Sequence, residues 1–290
     1  MTDSIRVRAP ASTANLGPAF DCAGAALELW NEVEVSEGDG VVIDGEGAGE
    51  LPTDGTHLGL RAFTLLAPVA GRRFAFTNEI PLARGLGSSA ATIAAGLVAG
   101  SACAGVEPEP RRLLELALGL EGHPDNIAPA LLGGVCLSWI DPSGTPLATR
   151  IAAELPLEPV VVVPDARVST VEARRALPRL VSHADAAHTA GRSAMLGAAL
   201  AGGCAGLMRR ALDDRLHEPY RGPLSDVYMR LKDDLPEGAA GVTVSGSGPS
   251  VVVWAEAGRS APVASLLEGA LAGARVMPLA VAAGGASVVP

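Results

Sequence analysis

The 290-residue chain is 48% apolar and 19% charged, enough apolar surface for a real core in one large domain or two modest ones, which rules out general disorder. A net charge of −10 and 3% aromatic residues argue against a phosphate-backbone binder or a base-stacking platform, so no nucleic-acid partner is expected. Of the 22 basic residues one is a lysine, Lys232, in a polar stretch; Walker A, protein-kinase and pyridoxal chemistry each need a lysine in a setting this chain lacks.

In chain order, residues 6–8 and 32–35 alternate polar and apolar side chains as half-buried strands do, and 41–44 reads as another strand. Between the first two lies the run Pro10-Ala11-Ser12-Thr13-Ala14-Asn15-Leu16-Gly17-Pro18-Ala19-Phe20-Asp21, whose strong polar handles are Asn15 and Asp21. Leu58, Ala62, Leu65 and Leu66 give 56–67 one helical face, with Asp54 near the cap. A strand at 73–78 precedes the loop Pro81-Leu82-Ala83-Arg84-Gly85-Leu86-Gly87-Ser88-Ser89-Ala90-Ala91, which opens an Ala-rich helix to about Cys103. Pro110 starts a helix that ends before Glu121, Pro124 breaks it, and Asp125 can cap a short helix through Leu132. A strand at 135–140 leads into the Pro- and Ala-rich stretch 141–159, which holds the expected boundary between an N-terminal lobe, 1–155, and a C-terminal lobe, 156–290.

The second half opens with a strand at 160–163. Helices are expected at about 169–177, 185–200, 204–212 and 261–271, and strands at 241–245, 251–254 and 275–280, with a second Gly/Ser loop at 245–250. Strands and helices mix without strict βαβ alternation, which favours the α+β class.

No N-terminal apolar segment reads as a signal peptide, and no two of the four cysteines lie close enough for a zinc pair. The uncharged stretch 85–106 has a spanning length, but its Gly and Ser gather at the front, as in a loop followed by a buried helix. The expectation is a cytoplasmic protein with no membrane partner.

Four features carry chemistry, the first in chain order being the 10–21 run with Asn15 and Asp21. In the 81–91 loop two glycines allow close backbone approach, and the serines stand at a helix start, where free N–H groups and the dipole hold phosphates. The same residues formally match the dinucleotide fingerprint, but Pro81 interrupts the strand that motif needs. Glu121-Gly122-His123-Pro124-Asp125-Asn126 gathers two carboxylates, an imidazole and an amide at a helix break; Glu121 suits a hard cation such as Mg²⁺. Ser245-Gly246-Ser247-Gly248-Pro249-Ser250 is another close-approach loop.

Together and in this order, these motifs resemble those of the GHMP kinases, small-molecule kinases with no Walker A lysine. Within that family they are most similar to the members that act on homoserine, as are Ala184-Asp185-Ala186 with Arg192 and Leu216-His217-Glu218-Pro219-Tyr220-Arg221. The resemblance runs from about residue 6 to 255 and implies two α+β lobes, the first like ribosomal-protein S5 domain 2 and the second ferredoxin-like. It implies ATP-dependent phosphorylation of the L-homoserine hydroxyl, a step in threonine biosynthesis, by a homodimer. Residues 81–91 and Gly246 would bind ATP, and Ser88 and Glu121 would hold Mg²⁺. Asn15, Asp21, His123, Asn126, Arg192 and Arg221 would bind the substrate, with both arginines on its carboxylate. Asp125 belongs to the site and is a candidate general base, its role left open. The chain departs from the pattern at Ala19, where Gly is usual, at Ser247 and Ser250, and at His57, near an adenine-side Asn position.

Overall fold

The structure, a computed structural model, describes residues 4–121 and 123–289. β1 (Ile5–Ala14) and β2 (Ala23–Glu37) form a long antiparallel pair in the first sheet. After β3 (Gly40–Gly45) and α1 (Leu58–Thr64), β4 (Arg72–Asn78) pairs antiparallel with β2 and parallel with β3. The cap of α1 is His57, whose Nδ1 accepts from the Gly59 amide at 3.2 Å, while Asp54 closes a turn on Thr56.

Three helices follow: α2 (Ser88–Ala104), α3 (Pro110–Leu118) and α4 (Pro124–Leu132). α2 is buried almost all round, because its Ala, Gly and Ser side chains let β1 and α1 approach closely. β5 (Val135–Ile140) extends the sheet from β2, and β6 (Pro146–Ala152) pairs with β5 inside the stretch expected to be a boundary.

The second lobe opens with β7 (Glu158–Val163), followed by α5 (Thr170–Arg175), α6 (His183–Gly202), α7 (Ala205–Ala211), α8 (Glu218–Arg221) and α9 (Asp226–Asp233). β8 (Ala239–Val244), β9 (Val251–Ala255), α10 (Ser260–Ala270) and β10 (Arg275–Pro278) complete it. Its sheet has the order β10-β7-β9-β8, antiparallel throughout, the split βαβ arrangement of a ferredoxin-like lobe. The valine run of β7 serves two cores: Val160 and Val162 face Val251 and Val253 on the α9–α10 side, while Val161 and Val163 join the main core with Trp254. The last described strand, β11 (Ser287–Val289), returns to pair antiparallel with β1 and so belongs to the first sheet.

β1 runs six residues past the strand expected at 6–8, through much of the run read as a loop. Ala9, Ala11, Ser12, Thr13 and Ala14 are all buried, so no polar–apolar alternation marks this part of the strand. No described helix is long and apolar enough to cross a membrane.

Candidate active site

A cleft of about 410 Å³ lies where the 81–89 loop, the turn at 121–126 and the turn after β1 meet residues 168–174 and 246–247 of the second lobe. The loop ends on Gly87, which caps α2 in the left-handed conformation (φ 67°) with no side chain bonded to the first turn. The helix therefore presents to the cleft an N-terminus whose free N–H groups suit an anion. Two positions there must be glycine. At Gly85 (φ 75°) a Cβ would stand 2.1 Å from the Ser245 carbonyl oxygen, and at Gly87 2.0 Å from the Ser12 hydroxyl.

Ser88 and Ser89 line the cleft, whereas the side chains of Ala90 and Ala91 lie in the core. The Ala91 amide already bonds the Gly87 carbonyl at 2.9 Å. Arg84 lines the cleft but spends its guanidinium on the carbonyls of Leu82, Pro164 and Asp165, tying the loop to the second lobe.

Glu121 follows α3, and its Oε2 is buried with no hydrogen-bond partner. Burial, then the charge of Asp125, pushes its carboxyl up to about 7. Asp125, in the first turn of α4, is pushed up to about 6 by burial and by Asp21. It accepts from the Asn126 amide at 3.3 Å, and Asn126 Oδ1 accepts from Ser12 at 2.9 Å. His123 caps α4 through its backbone; burial and the nearby Arg174 push its imidazole pKa down, which favours the neutral ring.

Across the cleft, Asn15 (φ 74°) and Asp21 (φ 56°) both sit in the left-handed region. The Asn15 side chain is occupied at both ends, donating to the Gly246 carbonyl at 2.8 Å and accepting from the Asp21 amide at 3.0 Å. It closes the turn that aims Asp21 into the cleft. Ala19, where a left-handed backbone would have been costly, has no positive φ. The Asp21 carboxylate is gripped by both terminal nitrogens of Arg174, at 2.7 and 3.1 Å. Arg221 is 3% exposed, donates to the Gly246 carbonyl at 3.1 Å, and keeps a buried Nε without a partner. The cleft thus combines a helix N-terminus, which suits an anion, with a carboxylate, Asp21, and two guanidiniums, Arg174 and Arg221.

Residues 57–134 match the family described as GHMP kinases N terminal domain, and residues 195–266 match GHMP kinases C terminal. The chain belongs to the GHMP kinase family. Its curated relatives include the homoserine kinase of Streptomyces avermitilis, 43% identical over 99% of this chain and 96% of that protein. Another is the homoserine kinase of Deinococcus radiodurans, 41% identical over 86% of this chain and 83% of that protein. Among solved structures, homoserine kinase from Cytophaga hutchinsonii superposes with a TM-score of 0.88 at 28% identity, covering 100% of this chain and 98% of that one. A mevalonate kinase at 15% identity and TM-score 0.69 shares the fold.

Most of the expected site residues of this GHMP kinase converge on the cleft: Asn15, Asp21, residues 81–89, Glu121, His123, Asp125, Asn126, Arg221 and Gly246 all line it. Arg192 does not. It projects from α6 toward α7, where its guanidinium bonds the Arg210 carbonyl, because its phase on α6 turns it away from the first lobe. The second guanidinium in the cleft is Arg174 of α5, which the sequence reading passed over. Its signal was faint: Ser169 caps a six-residue helix, and nothing nearby marks Arg174 apart from Arg175. His57 is 2% exposed and packs on Phe76 at 4.3 Å, outside the cleft lining.

Proposed function

We propose that this GHMP kinase transfers the γ-phosphoryl group of ATP to the side-chain hydroxyl of L-homoserine, giving O-phospho-L-homoserine and ADP, a step in threonine biosynthesis. The observation that carries the reading is the cleft's polarity. The N-terminus of α2 offers a phosphate seat, and Asp21, Arg174 and Arg221 share the same cavity. An amino-acid zwitterion has the complementary charges: its ammonium suits Asp21, and its carboxylate suits the two guanidiniums. Mevalonate and shikimate carry no ammonium and would leave Asp21 poorly used.

Phosphoryl transfer asks the protein mainly for positioning and charge stabilisation. The loop and first turn of α2 receive the phosphates. Asp21, Arg174 and Arg221 fix the substrate's amino-acid end, so that its hydroxyl reaches toward Asn126, His123 and Asp125. Asp125, held up at about 6, can take the hydroxyl proton near neutral pH. The buried, unpartnered Oε2 of Glu121 fits a divalent cation, and Ser88, the first residue of α2, lines the same cleft. These two residues would hold Mg²⁺, which supplies charge neutralisation on the phosphates when bound. Among the described residues no three His, Cys, Asp or Glu side chains cluster as a metal cage, which suits an ion that takes the rest of its ligands from phosphate and water. The reading includes the homodimer, which light scattering of the purified chain tests.

The deciding experiment is ADP release with homoserine, serine, mevalonate and shikimate as acceptors. Homoserine should give the highest kcat/KM. Preference for mevalonate or shikimate would overturn the reading.

A further inference from the structure

Phe20 lies in the run between β1 and β2, and none of the roles assigned above uses it. Its ring stands beside three groups from the second lobe. The guanidinium carbons of Arg221 and Arg174 are 5.0 and 5.3 Å from its centroid. The His217 ring stacks on it at 5.1 Å, with 22° between the planes.

Two guanidiniums around one ring repel each other, and Arg221 registers this: burial, then the charge of Arg174, pushes its pKa down. Asp21 grips Arg174, but Asp21 is also the carboxylate on offer to a substrate ammonium. The Gly246 carbonyl takes one N–H of Arg221 and leaves its Nε free. The π-system of Phe20 attracts both cations. His217 is fully buried; its Nε2 donates to the Gly17 carbonyl at 2.8 Å and lies 3.7 Å from the Asp214 carboxylate, while burial pushes its pKa down. Held in this way, the imidazole backs the Phe20 ring and fixes its place.

We propose that Phe20 is the positioning residue of the carboxylate clamp: its ring holds the guanidiniums of Arg174 and Arg221 convergent in the cleft, so that both reach the carboxylate of one amino-acid substrate. The identity of that substrate rests on the homoserine reading; the placement of the guanidiniums by the ring does not. A residue that merely fills space would be replaceable by leucine, whereas a π platform would not.

The test compares Phe20→Leu, which keeps the apolar bulk and loses the ring, with Phe20→Tyr, which keeps the ring. Thermal unfolding first establishes that both variants fold. Kinetics are then measured with homoserine and with 3-aminopropan-1-ol, which has the ammonium and hydroxyl but no carboxylate. Phe20→Leu should raise the homoserine KM about fivefold or more, with kcat and the ATP KM within about twofold. Phe20→Tyr should restore the wild-type KM, and kcat/KM for the amino alcohol should be the same in all three proteins. Independently of any substrate, side-chain NMR of isotope-labelled arginine should show two ring-shifted Nε–H signals, assigned with Arg174→Lys and Arg221→Lys. The shifts should persist in Phe20→Tyr and vanish in Phe20→Leu. A Phe20→Leu enzyme with wild-type homoserine KM, equal losses on both acceptors, or unchanged arginine signals would overturn the proposal. If the wild type does not phosphorylate homoserine, the homoserine reading fails and the NMR comparison alone decides the role of the ring.

Discussion

Replacing Arg174 by lysine keeps the charge in the cleft and removes the fork. In the structure that fork makes two bonds to Asp21, at 2.7 and 3.1 Å, and each side chain of the pair is 37% exposed. Hydrogen bonds to an ionised group contribute about 1.5–3 kcal/mol. Partial exposure moves this pair toward the lower end. Lysine can offer a substrate carboxylate one directed bond where arginine offers two, a loss of about 1.4 kcal/mol, or tenfold. Arg174→Lys should therefore raise the homoserine KM about tenfold and leave the ATP KM within about twofold. Arg192→Lys should leave both within about twofold, because Arg192 bonds the Arg210 carbonyl outside the cleft lining. The assay is coupled ADP release, with homoserine varied at saturating Mg-ATP and then ATP varied at saturating homoserine. If Arg174→Lys kept the wild-type homoserine KM while Arg192→Lys raised it, the assignment made from the structure would be refuted and the one made from sequence would stand.

The carboxyl of Glu121, held up at about 7, should make Mg²⁺ binding pH-dependent. A cation needs the ionised form, so Mg²⁺ should raise Tm more at pH 8 than at pH 6, and Glu121→Gln should abolish the difference; equal Mg²⁺ shifts at both pH values would remove Glu121 as a ligand. Without the cation the sign reverses. A raised carboxyl pKa favours the folded state at low pH, and that contribution is lost as pH rises through about 7. Gly85→Ala would place a methyl 2.1 Å from the Ser245 carbonyl at φ 75°, so Tm should fall by at least about 2 °C and the ATP KM should rise; unchanged values would contradict the close approach. Lys232→Ala should keep kcat and both KM values within about twofold, since Lys232 lies outside the cleft lining, and a loss of orders of magnitude would reveal a lysine-dependent step.

Contiguous features were legible in the sequence. Gly85, Gly87 and Ser88 mark a glycine-dependent helix start because the backbone freedom, the close approach and the free N–H groups belong to neighbouring residues. Glu121, His123, Asp125 and Asn126 declare a polar helix break for the same reason. Strong local punctuation such as Pro110, Pro124 and the Gly133-Gly134 pair marked helix ends, and the valine run of β7 marked a buried strand. Resemblance to a family then supplied the substrate chemistry that spacing alone leaves open.

Other features depend on how distant segments meet. The strand character of 9–14 is hidden in small residues whose burial comes from α2 and α4, far along the chain. Asp21 and Arg174 are 153 residues apart in sequence, and only the docking of α5 on the turn after β1 makes them a pair. Arg192 and Arg174 look equally able to bind a carboxylate on paper; what separates them is the direction each side chain takes from its helix once that helix is packed. The raised carboxyls of Glu121 and Asp125 likewise follow from burial, reinforced at Glu121 by the charge of Asp125 and at Asp125 by that of Asp21. Sequence alone determined which local pieces of backbone could receive a phosphate. The tertiary structure decided which charges face it, because electrostatic and packing contacts depend on distance in space and not on separation along the chain.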